Sequence, residues 1–313
     1  MRVSGKPAFL LMAYGSPNSL DEVGDYLSEV RGGRKATIEE VEALKERYRL
    51  VGGRTPLLEI TNSQAKALEG KLREEGLADR VYVGMKHWHP FIEESVQRIV
   101  QDSAEALVGI ALAPHYSRLS IGGYEERVRK GLATLGVDIP FVMVRSWHKE
   151  PSLVKALTSR VHEGLNKLER PEKAAVMFTA HSLPNTAVAA DDPYQAQLLE
   201  TSRLVAQALG LKAWDFAFQS AGEPRVNWLG PQILEQIASL RNQGFEEILV
   251  CPVGFVSDHL EILYDLDIQA RQYAASLGAR LERTTSLNDD PDFINSLVSV
   301  ARSAFRREIP VFS

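Results

Sequence analysis

The chain has little cysteine and no long apolar run. Cys251 is the one cysteine in 313 residues, so the chain cannot form an internal disulfide, and its thiolate cannot by itself hold an iron–sulfur cluster or a structural zinc. No apolar run approaches the roughly 20 residues of a membrane-spanning helix. The basic start and short apolar run at the N-terminus predict a first strand rather than a signal peptide. These absences predict a cytoplasmic protein, with any membrane contact peripheral.

An excess of charge is missing as well. The chain has 36 basic and 41 acidic residues, a formal net charge of −5, which argues against nucleic-acid binding through bulk electrostatics. No glycine string matches a Rossmann dinucleotide fingerprint or a Walker A loop, so nucleotide binding has no support. At roughly 100–200 residues per domain, the length predicts two domains.

Short apolar runs alternate with longer segments of helical periodicity from end to end, the pattern of parallel sheets covered by helices. We expect an α/β protein with two Rossmann-like domains, each a four-stranded parallel sheet flanked by helices, and a cleft between them. The predicted strands are 8–13, 81–85, 107–112 and 141–144 in the first half, and 174–179, 215–219, 248–251 and 280–283 in the second. The predicted division is an N-terminal domain (1–150), a linking helix (151–170), a C-terminal domain (171–287) and a helix in 288–313 that packs back on the first domain.

The first strands of the two halves lead into similar turns. AFLLMA continues into AYGSP (13–17), and AAVMFT continues into AHSLP (180–184), so Tyr14 and His181 occupy equivalent places in two βα units. In open parallel sheets, ligands bind outside the carboxyl ends of the strands. We therefore expect Tyr14, His115, His181 and the segment after Pro252 to face a common cleft.

Three carboxylates follow the seventh predicted strand. Asp258, Glu261 and Asp265 fall at i, i+3 and i+7, which places them on one face of a helix with Ser257 or Asp258 as its N-cap. Stacked like charges repel, so this face favours a cation, and oxygen ligands with one imidazole suit Fe(II), Mn(II) or Zn(II). The alternative is a solvated acidic helix start that the helix dipole stabilises.

The histidines differ in context. His181, at a strand-to-helix turn, suits proton transfer or metal binding, with a packed or capping histidine as the alternative. His87 and His89 flank a tryptophan, which favours a packed aromatic cluster, while His148 and His162 are expected to face solvent.

Basic residues cluster at 31–35, and Arg47 and Arg54 follow on the next helix and loop. Guanidinium groups bind carboxylates bidentately, so an anionic ligand over this region is one interpretation, and ordinary surface charge is the other.

Taken together, these segments resemble the ferrochelatases over nearly the whole chain. HSLP and GFVSDHLE are the most specific strings, because each joins a rare sequence to the expected secondary structure. The tyrosine of AYGSP is similar to that of the branch acting on coproporphyrin III, in which it is the proximal ligand of the product iron. The motifs, in family order, are LLMAYGSP (10–17), LKERY (44–48), GGRTPL (52–57), VGMKHWHPFIEE (83–94), LAPHYS (112–117), VMFTAHSLP (176–184), FQS (218–220), WLGP (228–231) and PVGFVSDHLEILYDLD (252–267).

The resemblance implies an enzyme of haem biosynthesis that inserts Fe(II) into coproporphyrin III, a lyase forming a nitrogen–metal bond. Iron is then a substrate, no cofactor is tightly bound, and the iron–sulfur cluster of animal members is absent. The implied partners are the porphyrin and the haem-pathway enzymes that exchange substrate and product, with no nucleic acid. By the same matching, His181 and Glu261 bind the metal and remove pyrrole protons, and Tyr14 is an axial metal ligand on the other face. The implied substrate-binding residues are Tyr14, Arg31, Arg47, Tyr48, Thr55 and Tyr124.

Departures from the family and rival functions are also visible. Gln269 stands where the acidic row commonly continues, which puts a secondary metal site in question. The rival substrates are protoporphyrin IX and sirohydrochlorin, and a non-catalytic tetrapyrrole carrier belongs to another class. A carrier needs propionate clamps and an axial ligand but no acid–base pair, so His181 together with Glu261 favours the enzyme.

Overall fold

The computed structural model describes residues 7–222 and 225–308, and it contains two four-stranded parallel sheets. The first sheet has the order β2-β1-β3-β4 and the second the order β6-β5-β7-β8, so the two halves share one topology. The predicted fold class is confirmed. The strands are β1 (Ala8–Ala13), β2 (Val81–Met85), β3 (Leu107–Ala111), β4 (Phe141–Val144), β5 (Ala174–His181), β6 (Trp214–Gln219), β7 (Glu247–Cys251) and β8 (Arg280–Arg283).

Helices connect the strands and cover both faces of each sheet. In the first half they are α1 (Val23–Val30), α2 (Ile38–Leu50), α3 (Leu57–Glu74), α4 (Ile92–Gln101) and α5 (Gly123–Thr134). The remaining helices are α6 (Pro151–Leu165), α7 (Tyr194–Leu209), α8 (Ile233–Asn242), α9 (Leu260–Leu263), α10 (Arg271–Ser276) and α11 (Pro291–Glu308). Among the described residues, no helix is both long and apolar enough to cross a membrane.

The continuous apolar runs of the strands reflect burial on both faces. Along β1, Phe9 and Leu11 belong to the central core, whereas Leu10 and Met12 pack with α4 and α5 on the outer face. This alternation is the period of two that a β-strand imposes on its side chains.

The central core joins the two halves. It combines residues of both sheets with apolar side chains from helices that include α3, α6 and α11. Helix α6 begins at Pro151, and α11 contacts α3, α6, β3 and β4. The domain boundaries at 150 and 171 stay predictions, and residues 309–313 of the predicted C-terminal segment lie outside the described residues.

The strand order places a topological switch point in each half. The chain leaves β1 toward β2 on one side and returns to β3 on the other, and β5 lies between β6 and β7 in the same way. Because ligands of open α/β sheets bind at such points, the turns after β1 and β5 are the expected walls of a site. Tyr14 directly follows β1, and His181 is the last residue of β5.

The segment after β7 differs from the predicted regular helix. His259 is extended, with φ −155° and ψ −175°, and is the residue that precedes α9 without a side-chain cap. One α-helical turn gives way to a π-helical stretch, Asp265–Ala270, and then to α10. The predictions of Ser257 or Asp258 as the N-cap and of Asp258 on the helix face are therefore wrong.

Candidate active site

Two adjoining cavities, of about 300 Å³ and about 450 Å³, lie at the carboxyl ends of the strands. Tyr14 and Glu261 line both, and His181 lines the larger one. The first half of the chain thus supplies Tyr14 to the same cleft that receives His181 and Glu261 from the second half.

His181 and Glu261 form a direct contact. The Nδ1 atom of His181 lies 2.9 Å from Oε2 of Glu261, and the two side chains are 34% and 32% exposed. The hydroxyl of Tyr194 donates to the main-chain carbonyl of His181 at 3.0 Å, which fixes the end of β5. An ionised Glu261 makes Nδ1 the donor, so in the neutral ring Nε2 carries the lone pair.

A second histidine approaches the same carboxylate. Nδ1 of His259 lies 2.9 Å from the carbonyl oxygen of Ser257 and donates to it, and Nε2 lies 3.8 Å from Oε2 of Glu261. Glu261 is therefore flanked by two imidazoles.

At the His181–Glu261 pair, burial and the attraction between the two side chains shift each pKa in opposite directions. Burial alone would raise the pKa of Glu261, but His181, helped by His259, holds it well below the usual range. Burial alone would lower the pKa of His181, but Glu261 outweighs this and raises it. The carboxylate therefore stays charged and makes the imidazole a better proton acceptor.

The three carboxylates of the predicted helix face, Asp258, Glu261 and Asp265, lie in different surroundings. Asp258 accepts from Ser286 and Asn288 and pairs with Arg283 at 3.1 Å, outside both cavities. Asp265 lines the smaller cavity and accepts from the hydroxyl of Ser220. Burial and the charge of Glu261 raise the pKa of Asp265 to about 6. In the part of the chain that the structure describes, no group of three or more His, Cys, Asp or Glu side chains is arranged to hold a metal ion.

Tyr14 presents its ring to the cleft. It is 44% exposed, and its ring centroid lies 4.6 Å from that of His87. Burial raises the pKa of Tyr14, and the charge of Glu261 adds to this. The phenol is thus neutral at physiological pH. The aromatic cluster predicted around His87, Trp88 and His89 forms only in part. Tyr26, His89 and Phe91 contact the ring of Trp88, whereas His87 packs against Tyr14 and lines the larger cavity.

Hydroxyl groups and one cation line the smaller cavity. Ser16 lies 3.0 Å from the hydroxyl of Tyr48 and 2.8 Å from that of Thr55. The guanidinium of Arg47 lies over the ring of Tyr264, 5.2 Å from its centroid. Among the described residues, Arg47 has no carboxylate partner in an ion pair.

Arg31 is held differently. Its two terminal nitrogens each lie 2.6 Å from a carboxylate oxygen of Glu40, a bidentate pair at the start of α2. Glu40 also completes a capping box with Thr37. Arg31 lines neither cavity, so binding a ligand propionate requires it to exchange or share this carboxylate.

The larger cavity has its own cation. Nζ of Lys86 lies 3.3 Å and 3.4 Å from the carbonyl oxygens of Leu119 and Ser120, and 5.2 Å from the ring centroid of Tyr124. Burial, with the charge of Arg127, lowers the pKa of Lys86 to about 8. Tyr124 is buried beside it and lines the same cavity.

Two further histidines connect the halves. His115 lines the larger cavity but is 2% exposed, and its Nε2 lies 2.9 Å from Thr201 on α7. His148 is 8% exposed, and its ring contacts Ser146 at 2.7 Å and Glu200 at 2.8 Å. The expectation that His148 faces solvent is therefore wrong, because its partner on α7 lies 52 residues away along the chain.

Several cleft residues were not singled out from the sequence. Each lies within a motif at a strand end, and that position is the signal that would have found it. They are Ser16 in AYGSP, Lys86 in KHWHP, Ser220 in FQS and His259 in GFVSDHLE. Gln219 of FQS was also missed; it is fully buried and lines neither cavity.

This pair of duplicated sheets is the chelatase fold. The sirohydrochlorin chelatase SirB from Bacillus subtilis subspecies spizizenii in complex with cobalt matches with a TM-score of 0.58 at 12% identity, over 98% of this chain and 97% of that chain. SirB from Bacillus subtilis with Fe3+ matches with a TM-score of 0.60 at 13% identity, over 96% of each chain. Identity this low establishes the fold alone.

The family follows from the sequence. The ferrochelatase family model matches residues 6–305. The ferrochelatase of Herpetosiphon aurantiacus is 44% identical over 302 residues, 95% of this chain and 99% of that one. The coproporphyrin III ferrochelatase of Geobacillus sp. strain WCH70 is 39% identical over 300 residues, 94% of this chain and 96% of that one. The chain belongs to the ferrochelatase family and is an enzyme that inserts a metal ion into a porphyrin.

Proposed function

We propose that this ferrochelatase inserts Fe(II) into coproporphyrin III, giving the iron coproporphyrin of haem biosynthesis. The observation that carries the proposal is the presence of a cation in each cavity, Arg47 in the smaller and Lys86 in the larger. Coproporphyrin III carries four propionates, whereas protoporphyrin IX carries two. Anion-binding groups in both cavities suit the substrate with more carboxylates. The 39% identical Geobacillus relative, named a coproporphyrin III ferrochelatase, supports the same choice.

Insertion of Fe(II) releases two pyrrole protons, and His181 is the proposed acceptor of one proton at a time, each passing to solvent water before the next is taken. Its Nδ1 is held by Glu261, so Nε2 is the nitrogen that meets the metal or a pyrrole proton. Glu261 balances the charge that the imidazole gains. In this proposal, Tyr14 gives an oxygen ligand to the product iron from the first half of the chain.

The remaining assigned residues bind propionates. Tyr48 and Arg47 line the smaller cavity and offer donors to one propionate, while Thr55 lines neither cavity and supports this site through its bond to Ser16. Tyr124 serves the larger cavity, next to Lys86. Arg31 contributes after exchange of Glu40, which makes it a weaker clamp than Arg47.

A metal-insertion assay with Fe(II) tests the substrate directly. We expect kcat/KM to be at least about tenfold higher for coproporphyrin III than for protoporphyrin IX, a difference of ~1.4 kcal/mol. Arg47→Met should raise the KM for coproporphyrin III more than that for protoporphyrin IX, and adding Arg31→Met should widen this difference. Arg49→Met is the matched control, since Arg49 lies on the same helix and pairs with Glu42 and Glu46. A higher kcat/KM for protoporphyrin IX would contradict the proposal. An equal increase in the KM of both porphyrins in Arg47→Met would contradict it as well.

A further inference from the structure

Gln219 lies beside His181 at the carboxyl end of the sheet. It is the last residue of β6 and is paired in register with His181 on β5. Its main-chain carbonyl accepts from the main-chain nitrogen of Ser182 at 2.8 Å. The main chain of Gln219 is thus tied to the residue that directly follows His181.

The side chain of Gln219 reaches the other member of the pair. Its Nε2 donates to the main-chain carbonyl of Glu261 at 2.9 Å. Glu261 lies in the single α-helical turn Leu260–Leu263, and the last carbonyls of such a turn need donors from outside it. The neighbouring Ser220 donates to the Asp265 carboxylate, which holds the following turn to the same strand end.

The orientation of this amide is set by Glu261. Gln219 is fully buried, and its Oε1 has no hydrogen-bond partner among the described residues. Its other polar contact, with the hydroxyl of Ser220, is 3.5 Å long. Leaving a buried acceptor without a hydrogen bond is unfavourable. The hydrogen bond from Nε2 to Glu261 offsets this cost and sets the orientation of the amide.

We infer that Gln219 is a positioning residue for metal insertion. It ties the main chain of Glu261 to the strand end that carries His181, and it thereby sets how the two side chains meet. Small displacements of reacting groups lower reaction rates steeply. A fixed His181–Glu261 contact should therefore raise kcat. The inference rests on the proposed roles of His181 and Glu261.

Gln219→Met removes the donor while keeping a side chain of similar length. We expect kcat for Fe(II) insertion into coproporphyrin III to fall roughly tenfold or more, with the porphyrin KM changed by less than about twofold. The matched control is Gln236→Met. Gln236 is a second buried glutamine, and its amide donates to Asp215 on the same strand β6. This variant should keep kcat within about twofold of wild type.

A spectroscopic readout separates positioning from general destabilisation. The Nδ1 proton of His181 should give a downfield NMR resonance that His181→Ala lacks. Gln219→Met should shift or remove this resonance, and Gln236→Met should leave it unchanged. An unchanged resonance in Gln219→Met, or an equal loss of kcat in the two variants, would overturn the inference.

A second variant, Gln219→Asn, keeps the inference testable if Gln219→Met does not fold. Gln219→Asn keeps the polar group but loses one methylene, so its donor falls short of Glu261 and kcat should fall as in Gln219→Met. Wild-type kcat in Gln219→Asn would overturn the inference. Full turnover in His181→Ala would instead overturn the proposed function. Loss of turnover in His181→Ala together with wild-type kcat in Gln219→Asn would overturn the role of Gln219 alone.

Discussion

His181 has two ring nitrogens with different surroundings. Nδ1 is held by Glu261, whereas Nε2 has no hydrogen-bond partner among the described residues and belongs to a side chain that lines the larger cavity. Since the carboxylate stays ionised, the pair acts as one base with a fixed tautomer. The sequence predicted both residues, but their contact became visible only in the fold, because they lie 80 positions apart.

His181→Ala tests that base. We expect metal insertion to be abolished while porphyrin affinity stays within about tenfold, a change below ~1.4 kcal/mol, because the residues proposed to bind the propionates are untouched. Turnover and fluorescence-quenching titrations with the porphyrin measure the two effects. His162→Ala is the control, since His162 is exposed on α6. Retained turnover in His181→Ala would contradict the assignment.

Tyr14→Phe tests the proposed iron ligand from the first half of the chain. Loss of the hydroxyl should change the visible absorption spectrum of the bound iron porphyrin, since it removes the proposed oxygen ligand while keeping the ring beside His87. Tyr82→Phe is the matched control, because the Tyr82 hydroxyl bonds to Asp102 outside both cavities. Identical product spectra for Tyr14→Phe and wild type would remove Tyr14 as the axial ligand.

At the scale of elements, the strands were predictable and the active-site helix was not. Runs such as AFLLMA are buried on both faces, so their ends coincide with the ends of the apolar sequence. The spacing of Asp258, Glu261 and Asp265 assumed one regular helix, whereas the chain is extended at His259 and π-helical from Asp265. Tertiary bonds from Gln219 and Ser220 accompany this irregular segment, and a periodicity argument contains no information about them.

The loop after β7 packs closely against Thr179 and Ala180, the two residues that precede His181. A Cβ on Gly254 would lie 2.5 Å from Cβ of Ala180 and 2.9 Å from its Cα, so the loop after β7 rests directly on the end of β5. Gly254 also donates its main-chain N–H to the carbonyl of Thr179 at 3.1 Å.

Gly254→Ala should therefore push the loop away from His181. We expect a loss of roughly 1–3 kcal/mol in the free energy of unfolding, as for overpacking elsewhere, together with reduced kcat. Urea denaturation and the insertion assay measure these quantities. Gly70→Ala in α3 is the control, since apart from its own helix backbone and chain neighbours no described atom lies within 4 Å of its new Cβ. It should be neutral or stabilising by up to about 1 kcal/mol. Equal free energies of unfolding in the two variants would show that the loop after β7 accommodates the added methyl group without loss of stability.

At the scale of the whole molecule, a buried polar network crosses between the halves. His115 follows β3 and bonds to Thr201, whose hydroxyl donates to the main-chain carbonyl of His148 at 2.9 Å. Burial, with the neighbouring His148, lowers the pKa of His115 to about 3 from an ordinary value of 6.5. Sequence position marked His115 as a cleft residue, but the bonds to α7 depend on packing that no local pattern encodes.

This burial predicts acid sensitivity. Between about pH 3 and pH 6.5 the unfolded chain binds a proton at His115 and the folded protein does not, so stability falls as the pH decreases through that range. One such proton is worth about 1.4 kcal/mol per pH unit. In urea titrations between about pH 4 and pH 6, His115→Asn should lower the slope of stability against pH by about that amount. His162→Asn should leave the slope unchanged. The same slope in wild type and His115→Asn would mean that His115 is protonated in the folded protein.

The shared strand order of the two halves bears on the direction in which the proposed reaction runs across the cleft. The turns after β1 and β5 hold corresponding places in the two sheets, but their chemistry differs, with a neutral phenol at Tyr14 and an imidazole–carboxylate pair at His181 and Glu261. In the proposed reaction, protons leave and the ion arrives on the histidine side, and the product iron is retained by the tyrosine. In this proposal, two halves that share one strand order give the reaction a direction, because their corresponding turns carry different side chains.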